Sequence, residues 1–181
     1  MSSSDYFQLF DLPLSFQVDE TLLSQRYREL QKQFHPDRYA AESATVQKEA
    51  MQKAADINAA YSTLRDRVLR ARHLLALAGH AVNVESKTVS DTDFLMAQME
   101  LREQLEEADD FAALAALRDE VEDWQDSLSR EFALDYQEQD WHEAADTVRK
   151  MQFMTRLLDE IQDAEARLED SEYDNDDEGD D

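Results

Sequence analysis

Residues 19–38 read DETLLSQRYRELQKQFHPDR, and the rest of the chain is best read outward from them. Asp19 suits a helix N-cap, because its short side chain can accept a hydrogen bond from an otherwise unpaired first-turn N–H. Leu23, Tyr27, Leu30 and Phe34 follow at steps of 4, 3 and 4, which places them on one helical face. Arg28 and Lys32 lie opposite, Arg26 at the edge of the apolar face, and Arg38 in the loop beyond. His35-Pro36-Asp37 ends the helix. Proline pushes the residue before it out of the α region, and Asp37 can bond local backbone.

Helical periodicity continues on both sides. Tyr6-Phe7-Gln8-Leu9-Phe10 is a short aromatic segment, and Pro13 closes it. A long helix is predicted over Ser43–Leu64, striped by Val46, Ala50, Ile57, Tyr61 and Leu64. Val68–Ala78 follows and stops at Gly79, a natural position for a left-handed cap. His80–Val89 has the mixed polarity of a linker. Ser90-Asp91-Thr92-Asp93 then reads as an N-cap with an acid at N3, opening a helix to about Ala108. The next helix, Phe111–Tyr136, carries Leu114, Leu117, Val121, Trp124 and Leu128 at the spacing of helix-on-helix packing. Asp140 caps a last helix to about Glu169, striped by Val148, Met151, Met154 and Leu158, and Trp124 and Trp141 are expected in its core. The expected fold is all-α. Short helices and a helical hairpin occupy 1–79, a linker 80–90, a three-helix bundle 91–169 and a disordered acidic tail 170–181.

Composition excludes several classes of function. The 181 residues include no Cys, which removes disulfides, thiolate metal sites and a Cys nucleophile. Two Gly and two Pro leave no phosphate-cradling loop and too few turns for an all-β fold. The net charge of −25 argues against nucleic acid and anionic membranes as partners. That charge is unevenly placed: residues 1–80 sum to zero, and residues 81–181 carry all of it. No apolar run approaches the ~18 residues of a membrane span, and Met1-Ser2-Ser3-Ser4-Asp5 lacks the features of a signal peptide. A cytoplasmic protein is expected.

The predicted fifth helix has a surplus apolar face. Phe94, Ala97, Leu101, Leu105 and Ala108 form an ordinary core stripe on a helical wheel. Leu95, Met96 and Met99 lie on the other side, with Glu100, Glu103 and Glu107 among and beside them. A bundle of three helices offers each helix one inward sector, and acids interspersed with Met and Leu suit an interface rim better than a core. Phe153 on the last helix also lies off its core stripe and can extend the patch. His73, His80 and His142 have no ligand partner at helical spacing and read as structural or solvent-facing.

In order and spacing, Tyr6-Phe7-Gln8-Leu9-Phe10, the basic helix, His35-Pro36-Asp37, and Ile57-Asn58-Ala59-Ala60-Tyr61 with Leu64 resemble a J-domain, the module that stimulates ATP hydrolysis by DnaK-class chaperones. Thr88-Val89-Ser90-Asp91, Phe94-Leu95-Met96, Glu100-Leu101-Arg102-Glu103 and Ala144-Ala145-Asp146-Thr147-Val148-Arg149-Lys150 resemble the HscB family of iron–sulfur assembly co-chaperones. The resemblance spans about residues 5–169. It implies a J-domain that engages HscA through His35, Pro36, Asp37, Arg26, Arg28, Lys32 and Arg38. It also implies a three-helix bundle that holds the scaffold IscU through Leu95, Met96, Met99, Glu100, Glu103, Glu107 and Phe153. No cofactor, metal or catalytic residue is implied, and the absence of Cys matches the bacterial type. Two readings stay open beside it: a J-domain adaptor for another client, and a small helical hydrolase using His35 and Asp37.

Overall fold

In a computed structural model of the chain, residues 5–82 and 91–177 are described, without the side chains of 171–177. Among them are seven α-helices, one 3-10 turn and no strand. The chain divides between Val82 and Asn83 into two compact units. Residues 83–90, which include most of the expected linker and Ser90, lie outside the described residues.

The first unit comprises α1 (Tyr6–Leu9), α2 (Glu20–Phe34), a 3-10 turn (Pro36–Tyr39), α3 (Ala44–Arg65) and α4 (Arg67–Leu77). Side chains cap the helices where short polar residues precede an apolar run. Asp5 accepts from the N–H of Phe7 and Gln8, Asp19 from Leu22, Ser43 from Val46 and Asp66 from Leu69. Gly79 ends α4 at φ +85°, a left-handed backbone that favours glycine. α2 and α3 form an antiparallel hairpin. Tyr27 stacks on Tyr61 with ring centroids 3.9 Å apart, and its hydroxyl donates to Asn58 at 3.0 Å. Phe7, Phe10, Leu23, Ile57, Leu64, Leu74 and Leu75 fill the core between these helices. Each such side chain removed from water contributes roughly 1.5–3 kcal/mol.

Two polar groups of this unit are not surface features. Arg70 is buried and its Nη1 donates to the Leu64 carbonyl at 2.6 Å, satisfying an end of α3. Burial lowers its pKa. His73 is 8% exposed, whereas the sequence leaves it between a structural and a solvent-facing role.

The second unit comprises α5 (Thr92–Glu107), α6 (Phe111–Glu138) and α7 (Trp141–Asp177). Asp91 is the N-cap of α5, one residue after the expected Ser90, and accepts from the N–H of Asp93 and Phe94. The register of the bundle follows from its cross-helix pairs. Arg118 meets Glu165, Gln125 meets Thr155 and Asp135 meets Thr147, so α6 and α7 run antiparallel. Asp91 meets Lys150 and Arg102 meets Glu160, so α5 and α7 run parallel. Phe94, Leu101, Leu114, Leu117, Val121, Leu128, Phe132, Val148, Met151, Met154, Leu157 and Ile161 are buried between them.

Three expectations need correction. Gln125, at 3% exposure, takes the inward position, whereas Trp124 and Trp141 are half-buried. Trp124 sits near Phe94 at 6.1 Å and Trp141 packs edge-on to Tyr136 at 5.7 Å, both at seams rather than in the centre. Leu157 is fully buried and Leu158 is not, because the core stripe advances from Met154 by three residues rather than four. Finally, α7 continues to Asp177 across residues expected to form a tail, since no Gly or Pro interrupts the chain from Asp140 to Glu178. Residues 178–181 lie outside the described residues.

Candidate functional site

Each unit presents a surface that its own packing leaves unused. In the first, the end of α2 carries His35, Pro36 and Asp37, all exposed. The break is held by local bonds. His35 Nδ1 accepts from the N–H of Asp37 at 3.3 Å and lies 3.6 Å from its Oδ2. Pro36 occupies the first position of the 3-10 turn, where its missing N–H costs nothing. The Arg38 Nη1 donates back to the Lys32 carbonyl at 3.1 Å, and the Tyr39 hydroxyl to the Gln33 carbonyl at 3.1 Å. These two bonds satisfy carbonyls at the open end of α2 and tie the loop to it.

The basic residues separate by role. Arg28 and Lys32 are exposed one turn apart, and the Arg28 Nε donates to the Ser24 carbonyl at 3.3 Å. Arg26 is half-buried and turned aside, 3.3 Å from Asp11 and 3.6 Å from Glu29. Arg26 is therefore charge-compensated within the fold, Arg38 serves as a cap, and Arg28 and Lys32 supply the open positive face.

In the second unit, Met96 is 60% and Met99 68% exposed on α5, with Glu100, Glu103 and Glu107 exposed around them. Leu95 is half-buried on the same helix. Phe153 on α7 is also half-buried, set edge-on to Phe94 with centroids 5.8 Å apart. Six of these seven residues thus lie on α5, and the seventh, Phe153, packs on the same helix through Phe94. Sequence reasoning passed over Arg102 in this region, whose guanidinium lies 5.4 Å from the Phe153 ring centre. The cue was its place on the wheel, between Leu95 and the core stripe.

The surface of this unit is acidic even after pairing. Arg102, Arg118, Arg149 and Lys150 are all matched to carboxylates of the unit itself. The hydrogen bond from Lys150 to Asp91 at 2.7 Å holds the Asp91 carboxyl below its usual range. Asp135 is shifted the other way, upward, chiefly by burial. Among the described residues no group of three or more His, Cys, Asp or Glu is arranged to hold a metal ion, and no helix is long and apolar enough to cross a membrane.

Comparison with known proteins agrees with this division. Residues 5–73 match the DnaJ domain family, and residues 90–162 match the HSCB C-terminal oligomerisation domain. A co-chaperone protein HscB homolog of Acinetobacter baumannii is 42% identical over 168 residues, covering 93% of this chain and 94% of the relative. The structure of the chaperone HscB from Vibrio cholerae is 43% identical, with a TM-score of 0.81 over 91% of this chain and 99% of that one. Human co-chaperone protein HscB is 29% identical, with a TM-score of 0.85 over 91% of this chain and 84% of that one. The chain belongs to the HscB family, the non-enzymatic J-domain co-chaperones of iron–sulfur cluster assembly.

Proposed function

We propose that this cytoplasmic protein delivers an IscU-type iron–sulfur scaffold to an HscA-type chaperone and triggers that chaperone's ATPase. The reading rests on one observation: each unit exposes a surface of different chemistry that its own core does not need. The His35-Pro36-Asp37 loop, with Arg28 and Lys32 beside it, presents positive charge suited to an acidic ATPase surface. Arg38 keeps the loop in place, and Arg26 shapes the edge of the face from within. The Leu95, Met96, Met99 and Phe153 surface, rimmed by Glu100, Glu103 and Glu107, suits a scaffold with an apolar patch and basic flanks.

An adaptor shifts its partner's barrier only by binding one state better than another. His35 and Asp37 are exposed and, among the described residues, meet only each other through their side chains, so they are available to the partner without loss of the helices. His35→Gln is expected to abolish stimulation of a purified HscA-type ATPase while leaving helicity and scaffold binding intact. Met96→Ala with Met99→Ala is expected to weaken binding of purified scaffold while leaving basal stimulation intact. A His35→Gln variant that stimulates like the parent removes the chaperone half of the proposal. Unaltered scaffold affinity in the double methionine variant removes the other half.

A further inference from the structure

Arg102 belongs neither to the core nor to the seven residues of the docking face, yet its exposed guanidinium is held by two bonds across the bundle. It lies on α5 toward the seam with α7. Its Nη1 donates to Glu160 Oε2 at 2.8 Å and its Nη2 to Glu160 Oε1 at 3.0 Å. A fork bound by both outer nitrogens has its plane fixed, which a single contact or a lysine cannot achieve. That guanidinium stands 5.4 Å from the centre of the Phe153 ring. Phe153 is edge-on to Phe94, at 84° and 5.8 Å. Phe94 is steadied in turn by the Lys150 ammonium, 5.7 Å from its ring and bound to Asp91.

Phe153 is thus gripped between an aromatic ring and a cation, each anchored independently. A positive charge within an acid-rimmed face would also repel a basic partner, and Glu160 cancels it in place. We propose that Arg102 is a positioning residue. It holds the Phe153 ring against α5, so that Phe153, Leu95, Met96 and Met99 meet the scaffold as one preformed surface. The proposal rests on the docking reading above. Its benefit is preorganisation, because an aromatic side chain already fixed loses less freedom on binding.

The test combines spectra of the free chain with a double-mutant cycle against purified IscU-type scaffold. Arg102→Gln is expected to shift the Phe153 ring resonances and weaken its contacts with Phe94, with cooperative unfolding preserved. Scaffold affinity is expected to fall about two- to tenfold, the range for ordering one such side chain. Glu160→Gln is expected to reproduce both effects, and Arg102→Gln to add nothing in a Phe153→Ala background. Equal losses in the two backgrounds, or unmoved Phe153 resonances, overturn the positioning role alone. If Phe153→Ala binds scaffold as tightly as the parent, the docking reading falls and takes this proposal with it.

Discussion

The backbone N–H of Tyr6 donates to Nε2 of His73 at 3.3 Å across 67 residues of chain, and the two rings stack with centroids 4.3 Å apart. This contact ties α1 to α4 and requires an unprotonated Nε2, since an imidazolium has no acceptor.

The consequence is a pH dependence of known sign. Burial lowers the His73 pKa from its ordinary 6.5 and outweighs Asp5, which pulls the other way. Unfolded, His73 takes up a proton as the pH falls through 6.5, and folded it resists. Its contribution to stability is therefore complete above pH 6.5 and is lost as the pH drops below, by at most about 1.4 kcal/mol per pH unit. Denaturant unfolding of parent and His73→Gln across this range is expected to show a smaller acid slope in the variant. Equal slopes would exclude His73 as the source.

Electrostatic steering by Arg28 and Lys32 predicts a salt-sensitive encounter with the ATPase. Lys32→Glu is expected to slow association about tenfold or more at low ionic strength, and the difference from the parent to narrow as salt screens it. Stopped-flow association rates decide this. Arg26→Gln is expected to change those rates less, because Asp11 and Glu29 already compensate that charge.

On the scaffold face, stability and affinity are expected to separate by residue. Met96→Ala removes a side chain that is 60% exposed and should leave unfolding almost unchanged, while costing roughly 1–2 kcal/mol of scaffold binding. Phe153→Ala should cost both, since its ring packs on Phe94. Calorimetric titration and denaturant unfolding on the same variants test the contrast.

Neighbouring leucines of α7 distinguish core from edge. Leu157→Ala is expected to destabilise by about 2–5 kcal/mol, the cost of a cavity at a fully buried site. Leu158→Ala is expected to cost less than half as much, as its side chain is only half-buried. Similar midpoints for the two variants would contradict the placement of the stripe.

Contacts within a few residues made most helix starts, stops and apolar stripes legible in the sequence. Asp19, Ser43 and Asp140 announce helix starts because a cap and its N–H are three residues apart. Pro36 and Gly79 announce stops through backbone sterics alone, and the apolar stripes follow from helical period. The exposed Met96 and Met99 were legible for the same reason, as a second face on one helix. Tertiary structure decided what each side chain faces across the fold. Arg26 is diverted to Asp11, Arg102 to Glu160, and His73 is buried beneath Tyr6, each through a partner 15 to 67 positions away. No local pattern encodes such partners. They exist only once the helices have packed in one register, which likewise chose Gln125 over Trp124 and Leu157 over Leu158 for the interior.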